Sequence, residues 1–221
     1  SIEKAIRACT GDIIILADHD DYWETHKVGS IIKWFEENPK IDGLMSNGLL
    51  IDAKGEINSN YFLWDSMCFP YKNISKSEDL KVYINAIENC ATGAAMAFRN
   101  NLSFLQQPFP VIKYFIHDRW LAINLAENNS LGILEEKLIH YRIHSAQAIG
   151  GMTENIEKYI DLNTNLLEGK PNINNSISSF KELRYVLNKI ETNLEIQNEI
   201  SKIENKDFDN TNYIAILKNK H

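Results

Sequence analysis

Residues 11–23 read GDIIILADHDDYW, and this stretch decides the fold. Its apolar residues are consecutive rather than alternating, a pattern typical of a strand in a parallel sheet that is covered on both faces. Asp18, Asp20 and Asp21 follow at the carboxyl end of that strand. Ligands of open α/β sheets bind beyond the carboxyl ends of the strands, so we expect the three acids to belong to a site and to face a cation.

The sequence around this stretch predicts an α/β domain followed by helices. The predicted elements are a helix in 1–12, a helix in 25–39, a strand in 42–57, a strand in 91–102, a helix in 115–129 and a bent strand or strand pair in 131–145. From about residue 153 the pattern is that of amphipathic helices, which we interpret as an appendage. Because the chain opens on a helix where this kind of sheet would have a strand, we expect an N-terminally truncated domain.

Residues 58–76 are rich in aromatic side chains and follow neither the helical nor the strand period. They therefore predict a long loop. Two interpretations stay open for it: an aromatic plug over the core, or a lid that faces a ligand.

Composition excludes several classes of protein. A formal net charge of −7 argues against a general nucleic-acid binder, which needs a basic surface. The three cysteines are odd in number and lack a paired metal spacing, so reduced thiols are expected. No apolar run approaches the roughly 20 residues of a membrane span, and no signal peptide opens the chain, which together predict a cytoplasmic protein without a transmembrane segment.

Two groups of acids are candidates for chemistry. Asp18 and Asp20 form an Asp-x-Asp pattern, whose hard carboxylate oxygens suit Mg²⁺ or Mn²⁺; the alternative is a solvated turn that caps the next helix. Asp118 follows His117 at the start of a predicted helix, where the helix dipole favours the anion that a general base must be. The alternative for Asp118 is a simple helix N-cap.

A third group, YRIH, ends the last predicted strand at residues 141–144. Arg142 is a candidate for pairing with a phosphate, and the imidazole of His144 is a candidate metal ligand. A histidine of this kind is also often an ordinary surface or core residue, and the sequence leaves that alternative open.

Taken together in order, LADHDDYWETHKV, TGAAMAFR, HDRWLAINLA and GILEEKLIHYRIHSAQAIG resemble the inverting family-two glycosyltransferases of GT-A fold. The rhamnosyltransferase-like bacterial members are the nearest match. The resemblance covers roughly residues 1–150 and implies a mostly parallel α/β sheet with flanking helices. Residues 1–150 would then be the C-terminal part of the catalytic domain, with its first strands missing, and residues 151–221 would be the helical appendage.

The resemblance also implies a role for each candidate residue. Asp18 would lie near the ribose of the donor, Asp20 would bind Mn²⁺ or Mg²⁺, and Asp118 would deprotonate the acceptor hydroxyl. Arg142 would contact the donor, and His144 would be a further metal or diphosphate contact. The donor would be a UDP- or dTDP-sugar. The acceptor would be a glycan or a lipid-linked sugar in surface polysaccharide synthesis at the inner face of the membrane.

Two other functions compete with this one. Aspartate-dependent phosphohydrolases place a Thr or Val after their acidic pair, and DHDDY lacks that residue. A catalytically silent fragment that acts as a helical interaction module through residues 153–221 is the non-enzymatic alternative. Loss of the preceding strands would leave the strand at 12–17 as a sheet edge, so self-association as a homo-oligomer is also expected.

Overall fold

The computed structural model describes residues 2–74, 77–111, 116–143, 156–168 and 180–204. These residues form one six-stranded sheet with helices on both faces. The strands are β1 (Ile13–Ile15), β2 (Tyr22–Trp23), β3 (Gly43–Ile51), β4 (Ile57–Phe62), β5 (Met96–Arg99) and β6 (Leu131–Arg142). The α-helices are α1 (Ile2–Ala8), α2 (Lys27–Glu37), α3 (Leu63–Ser66), α4 (Ser77–Val82), α5 (His117–Glu127), α6 (Ile156–Leu167) and α7 (Phe180–Glu204).

The strand order is β1-β5-β3-β6-β2, with β4 paired to β3, and β1 lies at one edge of the described sheet. The expectation of a mostly parallel sheet is wrong for these strands, because only β3 and β6 pair in parallel while the other four pairings are antiparallel. A continuous apolar run such as that of β1 reports burial of both faces of a strand. It does not report the direction of the neighbouring strand, which here is the antiparallel β5.

The direction of β5 determines where the loops meet. Since β5 runs antiparallel to both β1 and β3, the strands β1, β3 and β6 all point the same way. The carboxyl ends of these three strands therefore lie at the same end of the sheet, and the segment that precedes β5 lies there too. The segment after β1, the end of β6 and the turn Gly93–Ala95 before β5 are thereby brought together.

Both faces of the sheet are covered. On one face, Ile31 and Phe35 of α2 form a small core with Leu44, Ala97 and Leu138. The other face carries the main core, in which the fully buried Trp120 and Leu121 of α5 take part. Strand β1 contributes to both cores, because Ile13 and Ile15 pack against the first, and Ile14 belongs to the second together with Leu16, which follows the strand.

The aromatic segment 58–76 is not the loop that its sequence predicts. Its described residues contain most of β4, helix α3 and a 3-10 turn at Tyr71–Asn73. Leu63, Trp64 and Phe69 are at most 1% exposed and lie in the main core. Burial of these side chains favours the aromatic plug over the lid.

The C-terminal helices pack on the same main core. Leu162 and Leu166 of α6 and Ile196 and Ile200 of α7 are buried in it. Within the part of the chain that the structure describes, no helix combines the length and the apolar character needed to cross a membrane.

Candidate active site

Three carboxylates follow β1, at the end of the sheet where β1, β3 and β6 terminate. Asp18 is exposed, and the side chain of Asp20 is 30% exposed. Asp21 turns inward: its Oδ1 accepts a hydrogen bond from the backbone N–H of Arg142 (2.9 Å), and its Oδ2 is buried without a hydrogen-bond partner. This bond fastens the acidic segment to the end of β6.

The acids of this segment act on one another. Burial raises the pKa of Asp21 to about 6, and the neighbouring charges of Asp20 and Asp18 raise it further, while the hydrogen bond from Arg142 and the charge of Lys27 oppose the increase. The acids do not cap the following helix, because α2 begins after His26 and has no side-chain cap. The capping interpretation of the Asp-x-Asp pattern is therefore wrong.

Asp118 lies in the first turn of α5 and is only 6% exposed. Its Oδ2 accepts a hydrogen bond from the backbone N–H of Gly93 (3.3 Å), and its Oδ1 accepts one from the backbone N–H of Arg119 (2.5 Å). Ile116, not Asp118, occupies the N-cap position. The carboxylate is thus held at the helix start by two amides, one of which comes from the turn before β5.

Burial raises the pKa of Asp118 to about 7, and the charge of Asp18 adds to that increase. The two amides and the guanidinium of Arg119 oppose it. A carboxyl with a pKa near neutrality can both accept and release a proton, which is the property that a general base requires.

The acids after β1 and the start of α5 belong to one electrostatic group. Asp18 raises the pKa of Asp118. Burial lowers the pKa of His117, and the charge of Asp18 opposes that decrease. Tyr141 of β6 lies among the acids as well: burial raises the pKa of its phenol to about 12, and Asp21, Asp18, Asp118 and Asp20 contribute. The predicted Asp-x-Asp and the predicted base are therefore brought together.

Gly93 provides the close approach between the turn and α5. A Cβ atom at this position would lie 2.9 Å from Nε2 of His117, closer than real side chains come. The absence of a side chain lets the Gly93 amide reach Asp118 while His117 packs beside it.

Lys27 is a site residue that the sequence reasoning missed. It is 1% exposed, and its ammonium donates a hydrogen bond to the carbonyl of Ala94 (2.7 Å) and lies 4.3 Å from the ring centre of Trp23. Burial lowers the pKa of Lys27 to about 8, while Asp21 and Asp18 raise it. A lysine in the first turn of an amphipathic helix normally indicates a solvated face. The only signal in the sequence for the place of Lys27 in the site is therefore its short spacing from the acids.

Arg142 donates hydrogen bonds to three backbone carbonyls. Its Nε donates to the carbonyl of Asp20 (2.8 Å), its Nη1 donates to the carbonyls of Asp52 (2.8 Å) and Ala53 (3.2 Å), and its guanidinium lies over the ring of Tyr22. These bonds tie the acidic segment to the end of β3. The contact between Arg142 and the donor stays a prediction, and His144 lies outside the described residues.

The acids carry hard carboxylate oxygens, the ligand type that Mg²⁺ and Mn²⁺ prefer. Among the described residues, no group of three or more His, Cys, Asp or Glu side chains forms a metal cage. Mg²⁺ and Mn²⁺ need only one or two protein carboxylates when phosphate oxygens and water complete the shell. The partly exposed carboxylate of Asp20 and the unpartnered Oδ2 of Asp21 fit that requirement.

These features define the class of the protein: it is an α/β protein with a carboxylate-lined site at the carboxyl ends of its strands. Residues 1–102 match the family model described as glycosyl transferase family 2. The match covers slightly less than half of the 221 residues and ends before Asp118. It supports this family for the matched part, with its nucleotide-sugar transferase fold and glycosyl transfer as the activity. The comparison with curated proteins found no match.

Proposed function

We propose that the protein is a metal-dependent inverting glycosyltransferase. It would move a sugar from a UDP- or dTDP-sugar to a hydroxyl of a glycan or lipid-linked acceptor in surface polysaccharide synthesis, in the cytoplasm at the inner face of the membrane. The observation that carries the proposal is the buried Asp118, held by the amide of Gly93 at the same sheet edge as Asp18 and Asp20.

Asp118 acts as the general base in this mechanism. Its carboxylate takes the proton of the acceptor hydroxyl as that oxygen attacks the anomeric carbon from the face opposite the nucleotide. Attack from the opposite face inverts the anomeric configuration. The amides of Gly93 and Arg119 keep the carboxylate in place and favour its anionic form.

The acids after β1 serve the leaving group. Asp20, with His144 as a further predicted ligand, would hold Mn²⁺ or Mg²⁺, which when bound neutralises the departing nucleoside diphosphate. Asp18 would contact the donor ribose, and Arg142 would orient the acidic segment and contact the donor. The buried ammonium of Lys27 partly offsets the charge of Asp18 and Asp21.

The test measures release of nucleoside diphosphate from a panel of UDP- and dTDP-sugars with Mn²⁺, with and without a chelator. Asp20→Ala should abolish the metal-dependent release, because an uncompensated diphosphate is a poor leaving group. His19→Ala is the matched control, since the neighbouring His19 side chain is 98% exposed, and it should retain activity. Full activity of Asp20→Ala without metal would contradict the assignment.

A further inference from the structure

Helix α7 presents a polar stripe to the catalytic part of the chain. Lys189, Asn193 and Gln197 recur every four residues and so lie on one face of the helix. Lys189 forms an ion pair with Glu88, and Nε2 of Gln197 donates to Oδ1 of Asn85 (3.3 Å). The stripe therefore contacts the segment that contains the π-helical turn Tyr83–Ile87.

Asn193, at the centre of the stripe, reaches α5. It is 3% exposed, and its Nδ2 donates a hydrogen bond to the carbonyl of Ile87 (3.0 Å). Its Oδ1 accepts a hydrogen bond from Nη2 of Arg119. Arg119 is itself only 6% exposed and directly follows Asp118 in the chain. A residue of the C-terminal helix thus holds the neighbour of the proposed base.

The position of Arg119 matters because burial and the negative charge of Asp18 oppose the ionisation of Asp118. Asp18 faces it from the segment after β1, Tyr141 lies near it on β6, and His117 precedes it on α5. Burial has the largest effect on the pKa of Asp118, which it raises, and the charge of Asp18 raises this pKa further. The backbone N–H groups of Arg119 (2.5 Å) and Gly93 (3.3 Å) act in the opposite direction and favour the carboxylate, and the charge of the Arg119 guanidinium adds a smaller effect of the same sign.

We propose that Asn193 is a positioning residue for glycosyl transfer, which holds the guanidinium of Arg119 where its charge keeps Asp118 available as a base. The inference rests on the proposed function, because it gives Asp118 the role of base. It makes α7 part of the catalytic unit. A merely structural helix would stabilise the fold without affecting the ionisation of Asp118.

The experiment follows the carboxyl of Asp118 by carbon-13 NMR in the whole chain labelled at aspartate, with Asp118→Asn identifying the signal. Asn193→Asp pairs a carboxylate with Arg119, and Asn193→Leu removes the acceptor; both should raise the midpoint of the Asp118 titration, by about 0.5 to 1 pH unit. Gln197→Glu and Gln197→Leu are the matched controls one turn away. They should shift the midpoint by less than about 0.2 pH unit.

The same variants are then assayed for transfer across pH. Asn193→Asp should lower kcat about 3- to 10-fold below the midpoint while leaving KM for the donor unchanged, because fewer molecules carry the ionised base. A midpoint equal to that of the wild type in folded Asn193 variants would overturn the proposal. Equal shifts of the midpoint in the Gln197 controls would also overturn it. Loss of native circular dichroism in every Asn193 variant would overturn it too, because Asn193 would then serve stability alone. If the NMR shifts occur but neither the wild type nor any variant transfers sugar, the proposed function fails and the influence of Asn193, through Arg119, on the ionisation of Asp118 stands.

Discussion

Asp118 combines deep burial with the role proposed for it, a general base, which requires the charged carboxylate. Replacing it by Asn keeps the shape of the side chain and removes the proton acceptor. We expect Asp118→Asn to lower turnover by roughly 10²- to 10⁴-fold, the usual contribution of a positioned base, with donor affinity nearly unchanged. Wild-type turnover should rise with pH through about 7, because the base works as the anion. Steady-state kinetics over pH, with donor binding by calorimetry, tests both points. An equal loss of donor binding would make Asp118 a binding residue.

The same carboxyl predicts a dependence of stability on pH. Its pKa in the folded chain is about 7, above the value of an unfolded aspartate, so the folded state binds the extra proton between these values. Its contribution to stability is present below the unfolded pKa and is lost as pH rises through about 7. Asp118→Asn should therefore match the wild type near pH 4 and exceed its free energy of unfolding by on the order of 4 kcal/mol at pH 8. Urea titrations of both proteins at the two pH values measure this difference in free energy of unfolding. The same difference at both pH values would contradict a raised pKa of Asp118 in the folded state.

At the scale of elements, the turn Gly93–Ala95 couples β5 to α5. Gly93→Ala would push a methyl group against His117, and we expect turnover to fall about 10-fold or more, since the amide that holds Asp118 moves with the turn. Gly29→Ala is the matched control, because a methyl group added at this position of α2 would meet no neighbouring element within 4 Å. That control should keep full turnover and gain about 0.5 to 1 kcal/mol of stability. Kinetics and thermal unfolding measure both variants, and an active Gly93→Ala enzyme would show that the turn does not position the base.

The same elements show how far the sequence could lead. Local patterns predicted α2, β3 and α5, because helix and strand periods are written in consecutive residues, and they placed Asp118 in the first turn of its helix. The direction of β5 could not be predicted, since strand pairing depends on residues far apart in the chain. For the same reason the contact of Lys27 with Ala94, across 67 positions, and that of Asn193 with Arg119, across 74, have no local signal.

For the whole molecule, helices α6 and α7 share the core of the sheet domain. Leu162 and Ile196 are buried with Trp64 and Trp120 in one cluster. We therefore expect a single cooperative unfolding transition, in which tryptophan fluorescence and far-UV circular dichroism change together in urea. Loss of helical signal at a lower urea concentration than the fluorescence change would instead indicate an independent appendage.

In the proposed function, Asp118 and the acids after β1 carry out metal-dependent inverting transfer. The most direct test follows the sugar released from an accepted UDP- or dTDP-sugar by proton NMR in real time, with Mn²⁺ and the unmodified chain. Before mutarotation, the first sugar product should have the anomeric configuration opposite to that of the donor, and a chelator should stop its formation. A first product with the configuration of the donor would contradict the inverting mechanism, and release that continues without metal would contradict the role of the cation.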